Sequence, residues 1–148
     1  MYKRIFVAID ADTAHCKPIV AKAIGIATMD GARVLVGHAI DSTALETAGT
    51  CEDDYAKEAE GSFRAGISDV LGGIDTKGIS IDVDVRYGRV REVLLDEMIE
   101  PYQPDLVVCG ARGLSSFRYA LLCSISTFLV RSARCDVLVV KGDEVTKP

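Results

Sequence analysis

Short apolar runs recur along this chain and set its architecture. Residues 5–9 (Ile-Phe-Val-Ala-Ile) form the first, behind a basic start, and residues 34–40 form a second, broken by Gly37 and His38. Residues 105–109 (Asp-Leu-Val-Val-Cys) and 136–140 (Asp-Val-Leu-Val-Val) are two more, and neither alternates. Continuous runs of this length suit strands covered on both faces, as in a parallel sheet. Residues 79–86 differ, because Ile79, Ile81, Val83 and Val85 alternate with Ser80, Asp82, Asp84 and Arg86. That period of two predicts a half-exposed strand at a sheet edge.

Helical spacings fill the gaps. Ile19, Val20, Ala23, Ile24 and Ala27 make one stripe, stopped by Asp30-Gly31. Pro18 is tolerated only in a first helical turn, so this helix is expected to begin near Lys17. Ala56, Ala59, Phe63, Ile67, Val70 and Leu71 make a second stripe, flanked by the i,i+4 pairs Asp53/Lys57 and Glu60/Arg64 and ended by Gly72-Gly73. Val90, Val93, Leu94 and Met98 make a third, and Leu121, Ile125, Phe128 and Leu129 a fourth. Strand and helix alternate to the last strand, which predicts an α/β fold with a doubly wound parallel sheet. There is no internal repeat and no linker, so residues 1–148 are expected to form one domain.

Composition narrows the class. The 148 residues are 49% hydrophobic and 26% charged, which excludes a disordered or low-complexity chain. Seventeen basic against 22 acidic residues leave a net charge of −5, which argues against a broad nucleic-acid face. No stretch approaches the ~20 apolar residues of a membrane span. The first apolar run stops at Asp10, short of the ~7–15 residues of a secretory core. The five cysteines, Cys16, Cys51, Cys109, Cys123 and Cys135, are odd in number and hold no C-x-x-C pair. Reduced thiols in a cytoplasmic protein are the economical expectation.

In open α/β sheets, ligands bind beyond the carboxyl ends of the strands where the strand order reverses. After the first strand come Asp10, Asp12 and Thr13; Asp12 or Thr13 suits a helix N-cap, and Asp10 is open to a functional or a structural role. After the fourth come Gly110-Ala111-Arg112-Gly113-Leu114-Ser115-Ser116. Two glycines three apart let backbone approach a ligand with no Cβ between, and successive amides there can hold an anion. His15 and His38 are the only histidines. His38 reads as a packing or backbone-bonding residue, and His15-Cys16 lacks the further ligands of a metal site, so no metal is expected. Glu52-Asp53-Asp54 suits a helix amino terminus.

At the glycine segment the chain resembles the universal stress protein family. Nucleotide-binding members carry Gly, two residues, Gly, nine residues, then Gly and Ser or Thr. Gly110 and Gly113 match, nine residues follow, and Ser124 stands at the hydroxyl position. The opening Tyr-Lys-Arg-Ile-Phe-Val-Ala-Ile-Asp, Gly37-His38-Ala39-Ile40 and residues 135–141 are also similar to the family. The resemblance implies a five-stranded sheet of order 3-2-1-4-5, of the adenine nucleotide alpha hydrolase-like kind, with helices on both faces. It implies a site for ATP, or for AMP or ADP, in which Asp10 takes the ribose and the backbone at Ala39 reads the adenine. Gly110 and Gly113 would let the phosphates lie against the loop. Ser124, with the amides of Ser124 and Ile125, would grip phosphate at a helix start. It further implies a homodimer through the terminal strand from Val137 to Val140.

One residue departs from the pattern: Cys123 occupies the place of the third glycine. Its Cβ, and a thiolate tendency beside a helix amino terminus, both act against phosphate there. A redox role for Cys123 competes with simple packing of a small thiol. Asp12 adds a negative charge where the family often has a small polar residue. Two functions follow: a cytoplasmic regulatory module that binds an adenine nucleotide with little or no hydrolysis, or a nucleotide-independent stress or interaction dimer. An enzyme reading lacks support, with no Walker lysine pattern and no evident general base. A receiver domain fails because the third strand ends in Arg86-Tyr87-Gly88, without a phosphoacceptor aspartate.

Overall fold

The computed structural model describes residues 1–42, 52–111 and 124–141; side chains at 52, 53 and 124 fall outside this description. Strands β1 (Arg4–Ala8), β2 (Arg33–Asp41), β3 (Ile81–Gly88), β4 (Leu106–Gly110) and β5 (Asp136–Val140) form one sheet in the order β3-β2-β1-β4-β5. Every pairing is parallel. The expected fold class and strand order are therefore those observed, with β3 at one edge and β5 at the other.

Both faces are covered. Helices α1 (Lys17–Asp30) and α2 (Glu52–Gly72) lie over Ile5, Val7, Ile9, Val34 and Val36. On the other face, Phe6, Ala8, Ala39, Val107 and Cys109 meet Leu94, Met98 and Leu129. These last come from α3 (residues 90–102) and from α4 (Ser124–Ser132). Alternate residues of one strand thus enter opposite cores, which is why the runs are apolar throughout. Ile5, Phe6 and Val7 are fully buried, each contributing about 1.5–3 kcal/mol from burial of its side chain.

Pro18 sits in the first turn of α1, and Gly31, with φ +69°, caps its end and donates its N–H to the Ala27 carbonyl. Asp12 and Thr13 do not cap this helix. A 3-10 turn, Thr13–His15, intervenes, and the cap position falls to Cys16, which makes no side-chain cap bond. The third helix departs from the expected 3.6-residue stripe. It runs as an α-turn (Val90–Glu92), a π-helical stretch (Val93–Ile99) and a final α-turn (Glu100–Tyr102), together α3. The π form brings residues five apart onto one face, so Val93 and Leu94 are buried together with Met98 and Ile99. Strand β3 begins and ends two residues later than the alternation predicts, because its pairing with β2 starts at Val34 opposite Ile81. The expected Glu60–Arg64 pair is present at 2.8 Å, and Arg64 also donates to the Val83 carbonyl of edge strand β3. Leu121 and the Asp53 side chain lie outside the described residues.

Aspartates at the amino-terminal end of the sheet are structural. Asp105 accepts the N–H groups of Lys3 and Arg4 at 2.8 and 3.3 Å, and Asp30 accepts that of Tyr2 at 2.9 Å. Polar groups at the opposite, carboxyl end have a different setting.

Candidate functional site

Strands β1 and β4 are neighbours in the sheet but not in sequence, so the strand order reverses between them. The ladder of β1 with β2 ends at Ala8 opposite Gly37, and that with β4 ends at Val7 opposite Val108. Continuing these registers places Asp10 level with Ala39 on one side and Ala111 on the other. Three of the expected site residues, Asp10, Ala39 and Gly110, are thereby brought to one end of three adjacent strands.

Asp10 is half-buried, and its Oδ1 accepts the backbone N–H of Asp12 at 2.9 Å, an Asx turn that orients the carboxylate. Asp12 in turn faces His15, with Oδ2 2.6 Å from Nδ1, and both side chains are exposed. Thr13 packs on Gly66 of α2, where any side chain would collide with it. The buried Cys16 thiol donates to the Thr13 carbonyl at 3.2 Å. Burial, followed by the negative charge of Asp10, pushes this thiol up to about 11, so it is a neutral packing group. Among the described residues no group of three His, Cys, Asp or Glu side chains is arranged to hold a metal ion.

Beneath Asp10 the chain is held by His38. This histidine is buried and stacks on Phe63 of α2, with ring centroids 4.4 Å apart and planes 15° from parallel. Its Nδ1 lies 2.9 Å from the Ile9 carbonyl oxygen. A carbonyl can only accept, so Nδ1 carries a proton and donates. Burial lowers the imidazole pKa below its ordinary value, against opposing effects of the Ile9 carbonyl and the Asp10 carboxylate. The packing and backbone-bonding roles expected of His38 are both present. Ala39, the next residue, is buried on the opposite face, against the α3 side.

Gly110 ends β4 opposite Val140, and Ala111 donates to the Val140 carbonyl at 2.9 Å. Ile125 packs in the α3/α4 core. Ser124 is the first described residue of α4, its side chain excluded from the description. Gly113 and Cys123 lie outside the described residues. Sequence reasoning missed Asp41, which closes β2 opposite Gly88 at the same end of the sheet. The signal was the one that marked Asp10, a carboxylate ending an apolar strand. A shallow cavity of about 170 Å³ opens nearby between α2 and the ends of β2 and β3, lined by Ile40, Ala56, Val85 and Tyr87 among others.

The sheet order defines an open, doubly wound α/β protein whose strand order reverses between β1 and β4, the place where ligands bind in sheets of this kind. The universal stress protein family profile matches residues 1–141. The chain belongs to the universal stress protein family. A universal stress protein of Staphylococcus haemolyticus is 25% identical over 146 residues, covering 97% of this chain and 87% of the relative. Among solved structures, UspA from Lactobacillus plantarum superposes with a TM-score of 0.72 at 23% identity, covering 94% of this chain and 97% of that one. A universal stress protein in complex with cAMP superposes with a TM-score of 0.59 at 24% identity, covering 95% and 97%. No helix among the described residues is long and apolar enough to cross a membrane.

Proposed function

We propose that this protein is a regulatory module that binds an adenine nucleotide, ATP or a relative, across the carboxyl ends of β1, β2 and β4. The observation that carries this reading is the Asp10 carboxylate, oriented by the Asp12 amide at the switch point between β1 and β4. In this reading Asp10 accepts from the ribose hydroxyls, and the backbone at Ala39 reads the adenine edge. Gly110 and Gly113 let phosphates lie on backbone, and Ser124 with the amides of Ser124 and Ile125 takes the phosphate end. Backbone amides hold an anion without net basicity, so a chain of net charge −5 is compatible with the ligand. The solved relative in complex with cAMP supports an adenine nucleotide as the ligand class. The nucleotide acts as a signal, with hydrolysis slow or absent. The protein works in the cytoplasm as a homodimer paired through β5, whose residues from Val137 to Val140 are each only partly buried.

Cys123 favours one second reading, a stress or interaction dimer that uses no nucleotide. Calorimetric titration with ATP and cAMP separates the two. The nucleotide reading expects binding by the natural protein and its loss in Asp10→Ala and Gly113→Val. No binding by the natural protein, with binding gained in Cys123→Gly, overturns the nucleotide reading and locates the cause.

A further inference from the structure

We infer that His38 is the positioning residue of the Asp10 site: its imidazole, in place of a ladder amide, fixes the last backbone carbonyl before Asp10. The β1–β2 ladder ends at Ala8 opposite Gly37. One residue on, Ile9 still donates its N–H to the Gly37 carbonyl at 3.1 Å, but its own carbonyl is taken by His38 Nδ1 at 2.9 Å. The imidazole has little freedom. It is buried, and its ring is stacked at 15° on Phe63, itself 3% exposed.

The chain from β1 thus reaches Asp10 with both polar groups of the preceding residue held. Asp10 then receives the Asp12 amide on Oδ1. Rotation of the Ile9–Asp10 peptide would break the imidazole bond and strand a buried donor, which is costly. The His38 bond thus carries the packing of α2 and β2 to the backbone that presents Asp10.

The positioning claim is geometric; its value for ligand binding rests on the nucleotide reading, and the two are tested apart. An asparagine amide nitrogen occupies nearly the place of Nδ1, whereas the longer glutamine presents its amide one bond further out. The experiment compares the natural protein with His38→Asn, His38→Gln and His38→Leu. One readout is the Asp12 amide resonance by NMR, which reports the bond to Asp10 without any ligand. The other is ATP affinity by calorimetry.

His38→Asn is expected to keep the Asp12 resonance and the ATP affinity. His38→Gln and His38→Leu are expected to move the resonance toward its unstructured position and to weaken ATP by about tenfold. Resonances of β4 and α4 serve as the folding control. An unmoved Asp12 resonance in folded His38→Gln or His38→Leu overturns the assignment. So does a His38→Asn protein that shifts as far as His38→Gln, or that fails to fold. Absence of ATP binding by the natural protein removes the nucleotide reading alone, and the Asp12 resonance still decides the role of His38.

Discussion

Replacing Gly37 by alanine should destabilise the protein, although alanine is ordinarily the better strand residue. Glycine in a strand interior costs roughly 0.5–1 kcal/mol relative to alanine, so with open space the change would stabilise. Gly37 has no such space. A Cβ there points into the α3/α4 core, against Cζ of Phe6, 2.7 Å from Cε2 of the same ring and 3.2 Å from Sδ of Met98. Methionine can yield by rotating. The Phe6 ring cannot, because it is fully buried in β1, the middle strand, between Ala8 and Val107 neighbours. Overpacking of this kind costs about 1–3 kcal/mol. For a chain of this size the midpoint of thermal unfolding should fall by about 3–10 °C. The assay is thermal and urea unfolding followed by circular dichroism, on Gly37→Ala, Phe6→Leu and the double variant. Trimming the ring should relieve the clash, so the two changes should couple favourably by about 1 kcal/mol or more. An unchanged or raised midpoint in Gly37→Ala refutes the argument, as does simple additivity in the cycle.

Burial lowers the His38 pKa from its ordinary 6.5. The unfolded chain therefore binds a proton first, and stability present above pH 6.5 is lost progressively as pH falls toward the lowered folded value. Urea unfolding between pH 7.5 and 5 should show a flatter pH dependence in His38→Asn than in the natural protein, and equal slopes would contradict the assignment. The Tyr102 hydroxyl is enclosed without a hydrogen-bond partner among the described residues. Tyr102→Phe should thus raise the unfolding free energy by about 1 kcal/mol, whereas a comparable loss would mean that the hydroxyl is bonded. The buried Cys16 thiol, pushed up to about 11, should resist iodoacetamide at pH 8 in the folded protein and react once urea unfolds it. Modification of Cys16 at native rates comparable to a free thiol, measured by peptide mass, would refute its burial.

The strands were legible because burial on both faces leaves an unbroken apolar signature, as in residues 5–8 and 106–109. The edge position of β3 was legible for the complementary reason, one face being open. Its limits were not: Ile79 keeps the alternation while standing outside the ladder, and pairing starts only at Ile81. The stripe in α3 was read with a period of 3.6, yet the helix buries Val93-Leu94 and Met98-Ile99, two pairs five apart. Ile99 dropped out of that stripe because the period was wrong, not because the residue was unusual. Near the site, Asp12 and Thr13 have the chemistry of caps, but Pro18 fixes the helix start at Lys17 and leaves room for a 3-10 turn ahead of it. The proximity of Asp10, Ala39 and Gly110 follows from strand order, which the alternation of elements alone left open and the family resemblance supplied.

Gly37 and His38 show how the packing of two layers places one carboxylate. They are consecutive on β2, so their side-chain positions face opposite cores. Gly37 leaves room on one face for the Phe6 ring. On the other face His38 stacks on Phe63 and bonds the Ile9 carbonyl. Gly37 also contributes its carbonyl to the Ile9 N–H. The end of β1 is therefore gripped from the α3/α4 side through Phe6 and from the α1/α2 side through His38. Asp10 begins one residue beyond that grip, and the Asp12 amide holds its carboxylate. A substitution in either core near β2 should then reach the carboxylate without touching it. Gly37→Ala should move the Asp12 amide resonance even at temperatures where the protein remains fully folded.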